Sequence, residues 1–162
     1  MNYNEEEIKK ELMKIDENKL RKLISENVKR VLREEQERSS IDDKIINLIS
    51  FLHNAQLPVR EIHWNTRVNA LHLTTDEAIG NLFEWEDTLA EAFISDKNIN
   101  LKINATKPSS SEDFSSIMKE LVDLASDIKS NISDNKEYDR INAVIDEIIE
   151  TSNKHLYRAE FK

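Results

Sequence analysis

The chain has 162 residues, 34% of them charged, with one glycine, two prolines and no cysteine. So few chain breakers exclude a loop-rich β fold and point to long helices. The lack of cysteine excludes disulfides, thiolate metal sites and iron–sulfur clusters. The formal net charge of −9 falls on residues 41–162, because residues 1–40 hold ten basic and ten acidic side chains. An acidic body repels phosphates and attracts cations. No apolar run approaches the 18 or so residues that a membrane span needs, and no signal-peptide pattern follows Met1, so a soluble, cytoplasmic protein is expected.

Residues 4–37 place Ile8, Leu12, Ile15, Leu20, Leu23, Ile24, Val28, Val31 and Leu32 at helical spacing. An additional amphipathic helix is expected over 1–40, packed on the body or paired with another chain. Ser39 and Ser40, followed by Asp42 and Asp43, read as the start of a new helix over 41–66. Its stripe is Ile45, Leu48, Ile49, Leu52, Gln56, Val59 and His63, and Pro58 predicts a kink or local break. His53 lies off that stripe and reads as structural or exposed.

The next helix starts either at Thr75, capped by Thr74 and Glu77, or near Asn69 with His72 included. It runs to about residue 97, with Ile79, Leu82, Phe83, Leu89, Ala90 and Phe93 inward. Asp76, Gly80, Glu84, Asp87 and Glu91 line one flank, and Glu86 falls near the stripe centre, where an unpaired carboxylate is costly. Residues 97–110 form the one long connection. A third helix over 110–133, capped by Ser109 and Glu112, buries Phe114, Ile117, Met118, Leu121 and Ile128. A fourth over 135–160, capped by Asp134 and Glu137, buries Tyr138, Ile141, Ile145 and Ile148, with His155 near its C-terminal dipole. The result is an all-α four-helix bundle. The long connection is able to cross its length if the second and third helices run parallel, as in ferritin-like folds; an up-down-up-down bundle is the competitor.

The stretch His63–Glu91 concentrates the chemistry. It holds two of the four histidines, Asp76, Asp87, Glu91 and both tryptophans. His72 and Asp76 are four apart, as are Asp87 and Glu91, which puts each pair on one helix face. Imidazoles with carboxylates suit iron or zinc better than calcium. Set against this, paired acids are common on solvated helices, and core packing accounts for Trp64 and Trp85.

In order, His63-Trp64-Asn65, His72 with Asp76, and Asp87-Thr-Leu-Ala-Glu91 resemble the signature of the Dps miniferritins. The resemblance covers about 30 residues and departs from the family in lacking the Lys-Gly and Pro that usually follow His-Trp-Asn. It implies a ferritin-like bundle and a ferroxidase site between subunits, with His63, His72 and Asp76 from one chain and Asp87 and Glu91 from its two-fold mate. It also implies Fe as a di-iron or mono-iron site, supported by Trp64, Glu84 and Glu86. Peroxide or oxygen would oxidise Fe(II), and ferric mineral would be stored in a homo-oligomer, with a dimer as the least unit and a dodecamer as the family's shell. DNA binding is expected to be weak and membrane binding absent. The alternatives are an inactive bundle acting as a structural or assembly module, and a protein whose primary role is to coat DNA.

Overall fold

The computed structural model describes residues 17–98, 100–103, 113–133 and 135–161. All regular structure among them is helical: α1 Glu17–Asn65, α2 Asn69–Lys97, α3 Phe114–Ile132, a 3-10 turn Lys136–Tyr138, and α4 Asp139–Ala159. The chain divides into two compact units, residues 1–40 and residues 41–162. No helix of the described residues is long and apolar enough to cross a membrane.

The expected helix start at Ser39 and Ser40 is absent. The backbone is helical without a break from Glu17 to Asn65, so residues 17–40 are the first part of α1, and a separate additional helix is not present among the described residues. A start signal acts only where the preceding turn has ended. Here no glycine or proline interrupts the run, and the exposed pairs Lys22–Glu26, Arg30–Glu34 and Arg33–Glu37 support it at i,i+4 spacing. Pro58 is also inside the helix and does not end it.

In the second unit, side-chain pairs fix the helix directions. Only Thr66, Arg67 and Val68 separate α1 from α2. The two run antiparallel, with His53 and Gln56 against Glu86 and Asp42 against Lys97. Glu77–Arg158, Trp85–Glu147 and Lys97–Glu137 set α4 antiparallel to α2. Lys129–Asp146 sets α3 antiparallel to α4. It follows that α2 and α3 run parallel, so the end of α2 and the start of α3 lie at opposite ends of the bundle, about 28 Å apart for the 19 residues of α3. Lys44 on Asp127 agrees, since it joins the lower part of α1 to the end of α3.

The core is a 3,4-spaced stripe from each helix. On α2 it consists of Ala78, Leu82, Trp85, Leu89 and Phe93. Each fully buried Leu or Phe there contributes about 1.5–3 kcal/mol. Phe83, expected inward, is 64% exposed. The stripe is centred nearer Leu82 and Trp85 than the sequence pattern suggested, which turns Phe83 out and leaves Glu86 at the edge.

The start of α2 is one of the two the sequence allowed, and the starts of α3 and α4 differ from expectation. The α2 helix starts at Asn69, because Thr74 and Thr75 donate their hydroxyls back to Ala70 and Leu71 carbonyls instead of capping. The α3 cap is Asp113, which accepts the Ser116 N–H at 2.9 Å; Ser109 and Glu112 lie outside the described residues. Asn135 accepts the Glu137 N–H and opens the 3-10 turn before α4, while Asp134 lies outside the described residues.

Two polar clusters close the ends of the bundle. At one end the Lys97 ammonium, 12% exposed, meets Glu137 at 2.7 Å, the Tyr138 hydroxyl at 3.0 Å and Asp42 at 3.3 Å. Burial alone would lower its pKa, but these hydrogen bonds and charges outweigh burial and hold it above the ordinary lysine value. Tyr138 in turn donates to Asp42 at 2.9 Å. Toward the other end His155, near the last turn of α4, is fully buried. Asn81 donates to its Nε2 at 2.9 Å, and its Nδ1 has no partner.

Burial lowers the His155 pKa below 6.5, against a raising effect from Glu77 and a further lowering by Arg158. The unfolded chain therefore binds this proton more readily than the folded one. Stability from this site is complete above about pH 6.5 and is lost as the pH falls below it. Between pH 7.5 and pH 5.5 the thermal midpoint should fall by a few degrees more in the parent than in His155→Leu. Equal falls would show that another group governs the acid response.

Candidate functional site

The short connection between α1 and α2 decides the geometry at the upper end of the hairpin. His63 lies in the last turn of α1 and His72 in the first turn of α2. Their rings stack at 4.1 Å between centroids and 20° between planes. Each ring also binds the other residue's backbone. His63 Nδ1 donates to the His72 carbonyl at 3.1 Å, and His72 Nδ1 donates to the His63 carbonyl at 3.1 Å. Thr75 Oγ1 stands 3.3 Å from His63 Nδ1 while donating its own hydrogen to the Leu71 and His72 carbonyls.

This reciprocal clasp has a chemical consequence. Carbonyl acceptors at both Nδ1 atoms fix both neutral rings as Nδ1–H tautomers, which leaves the lone pair on Nε2. Orienting an imidazole through its other nitrogen is how proteins prepare histidine for a metal. His63 Nε2 is 3.9 Å from Asp76 Oδ1. Because Asp76 is 74% exposed, this approach is a loose one, too weak to count as a stabilising ion pair. Nitrogen and carboxylate donors of this kind fit Fe(II) or Zn(II).

The structure thus brings His63, His72 and Asp76 together. Asp87 and Glu91 are exposed and lie eleven and fifteen residues beyond Asp76 on α2, about 16 Å and 22 Å along its axis. At 100° per residue, Asp76, Asp87 and Glu91 lie roughly 135–165° from the centre of the buried stripe. They form the outer face of α2, farther from the core than the flank position the sequence suggested. The five residues therefore fall in two separate places on a single chain, and no group of three acidic or histidine side chains with metal-binding geometry forms among the described residues. Gly80, on the same face, borders open space.

The supporting residues fall differently. Glu86 is only 16% exposed and is engaged by His53 at 2.9 Å and by Gln56, so it secures the α1–α2 hairpin. Glu84 is exposed. Trp64 is 66% exposed, against the expected core role, while Trp85 is buried and donates to Glu147 at 3.2 Å. Sequence reasoning missed the His53–Glu86 pair and the buried His155. The off-stripe position of His53 and the near-centre position of Glu86 were the only signals for the first. The 3,4 spacing of Ile141, Ile145, Ile148, Ser152 and His155 was available for the second.

The clasp predicts that nitrogen-detected NMR at pH 8 will find both His63 and His72 as Nδ1–H tautomers. A protonated Nε2 on either ring would contradict the reciprocal bonds. Comparison of the chain with protein-family models, with curated proteins and with solved structures returns no match.

Proposed function

We propose that the protein oxidises Fe(II) with peroxide or oxygen at a site shared by two copies and stores the ferric product, in the manner of the Dps miniferritins its sequence resembles. One observation carries this reading. The segment between His63 and His72 is short and lacks the family's Lys-Gly and Pro, yet the two imidazoles meet, with Asp76 beside them. The parallel α2 and α3 helices joined by a long crossover give further support, because ferritin-like bundles use that order.

Iron is the substrate in this reading. The neutral imidazoles offer Nε2, and Asp76 adds a negative charge. Asp87 and Glu91 of a second copy, outward on α2, would complete the set. Two Fe(II) ions each give one electron to one peroxide; its O–O bond breaks, and with two protons it leaves as two waters. Anionic ligands favour this change because they stabilise Fe(III) more than Fe(II). The chain's net charge of −9 draws cations toward the site and disfavours DNA, so any duplex binding is weak. The biological setting we propose is a cytoplasmic homo-oligomer, built from dimers up to a dodecameric shell, that protects against oxidative damage.

The double change Asp87→Asn with Glu91→Gln keeps side-chain size and removes two ligand charges from exposed positions. It should slow peroxide-driven Fe(II) oxidation by about 10- to 100-fold or more, the scale seen when groups around a metal are altered. Glu84→Gln, on the same face, should leave the rate near that of the parent. If the double variant oxidises iron normally, the bundle is an assembly module without iron chemistry. If both variants lose the same activity, the face attracts cations generally and contains no discrete site.

A further inference from the structure

We propose that the groove between the first turns of α2 and the end of α4 binds a free α-amino acid with an apolar side chain. None of the residues involved belongs to the iron reading. Ala70, Leu73, Thr74 and Glu77 follow 3,4 spacing, so they share one face of α2. Arg158, in the last turn of α4, and Phe161, just beyond it, stand across from them, and the six residues line a cavity of about 400 Å³. That volume falls in the range of small-molecule sites, and the lining covers only about 10 Å of the α2 axis. Leu73 is 60% and Phe161 51% exposed, so both leave apolar surface open beside the groove. Phe161 is fixed there by its N–H on the Arg158 carbonyl at 3.3 Å and by an edge contact with the Tyr157 ring at 4.9 Å.

The polar groups of the lining select the ligand, because their sense differs between the two sides. On α2 the Glu77 carboxylate can only accept, and the Thr74 hydroxyl has given its hydrogen to the Ala70 carbonyl. On α4 the Arg158 guanidinium can only donate. Arg158 and Glu77 form an ion pair, but each is about half exposed, so the pair itself adds little. Its bond joins Arg158 Nη1 to Glu77 Oε2, which leaves the other guanidinium nitrogens and the other carboxylate oxygen for a ligand. A zwitterion matches both charges at once. Its carboxylate meets Arg158, its ammonium meets Glu77 and Thr74, and its apolar side chain covers Ala70, Leu73 and Phe161. A simple carboxylic acid would set a second carboxylate beside Glu77 with nothing to offset it. A simple amine would set a second cation beside Arg158.

Methyl-detected NMR of the full-length protein provides the test, with L-phenylalanine as the probe. Millimolar L-phenylalanine should shift the methyl signals of Ala70 and Leu73 and leave those of Ile45 and Leu48, toward the Lys97 end of the bundle, in place. N-acetyl-L-phenylalanine lacks the ammonium and L-phenylalaninamide lacks the carboxylate, and each should bind at least about tenfold more weakly. Glycine, with no side chain for Leu73 and Phe161, should also bind more weakly. Glu77→Gln and Arg158→Gln should each weaken L-phenylalanine binding by about tenfold or more, with thermal midpoints near that of the parent because the pair is half exposed. In Glu77→Gln the N-acetyl compound should lose most of its disadvantage. An absence of shifts at Ala70 and Leu73, or equal binding of either blocked compound to the parent protein, would overturn the proposal. Folded variants that bind L-phenylalanine as the parent does would overturn it as well. The comparison of compounds uses the parent protein alone and decides the matter even if a variant fails to fold. None of these results bears on iron oxidation, which is measured separately.

Discussion

The bundle depends on burying one stripe of α2. Ala78, Leu82, Trp85, Leu89 and Phe93 must be covered from both sides, and α1 and α4 do so by running antiparallel to α2. That requirement fixes the rotation of α2, and the rotation decides everything on its other face. Asp76, Asp87 and Glu91 point away from the core because Trp85 and Leu89 point into it. The acidic face is thus a by-product of core packing in one chain, and chemistry that needs all three carboxylates has to draw on more than one chain.

The second constraint is the three-residue connection between α1 and α2. With so little chain, the last turn of one helix and the first turn of the next stay within side-chain reach, and His63 and His72 stack and exchange carbonyl bonds. Lower down, Glu86 locks the same hairpin through His53 and Gln56. At the far end the Lys97 cluster ties α1, α2 and the start of α4 through groups that would be costly to bury singly. The hairpin is held at three levels by polar contacts on a helix pair whose affinity comes from apolar burial.

Much of the fold was legible because helical spacing of apolar residues is a strong signal and the chain has few breakers. What was not legible turned on small differences. Phe83 and Trp85 compete for the α2 stripe, and a modest rotation decides between them. Ser39 and Ser40 have capping chemistry, but a cap acts only if the helix before it ends, and nothing local ends it. Thr74 and Glu77 spell a capping box, yet the Thr74 hydroxyl binds the Ala70 carbonyl and the helix extends upstream. For the candidate site, the four-residue spacing of His72 and Asp76 could be read directly. The meeting of His63 with His72 depends on turn geometry, and the engagement of Glu86 by His53 spans 33 residues, beyond any local pattern.

In the function proposed above, His63, His72 and Asp76 of one copy and Asp87 and Glu91 of another, separate within a chain, would meet between chains around iron. Anomalous diffraction from crystals of the assembled protein soaked in Fe(II) without oxygen tests it most directly. The account predicts iron within about 2.0–2.3 Å of His63 Nε2 and Asp76 of one copy, and of Asp87 or Glu91 of a neighbouring copy. Iron bound only by groups of a single chain, or none at the His63–Asp76 cluster in an assembled oligomer, would contradict it.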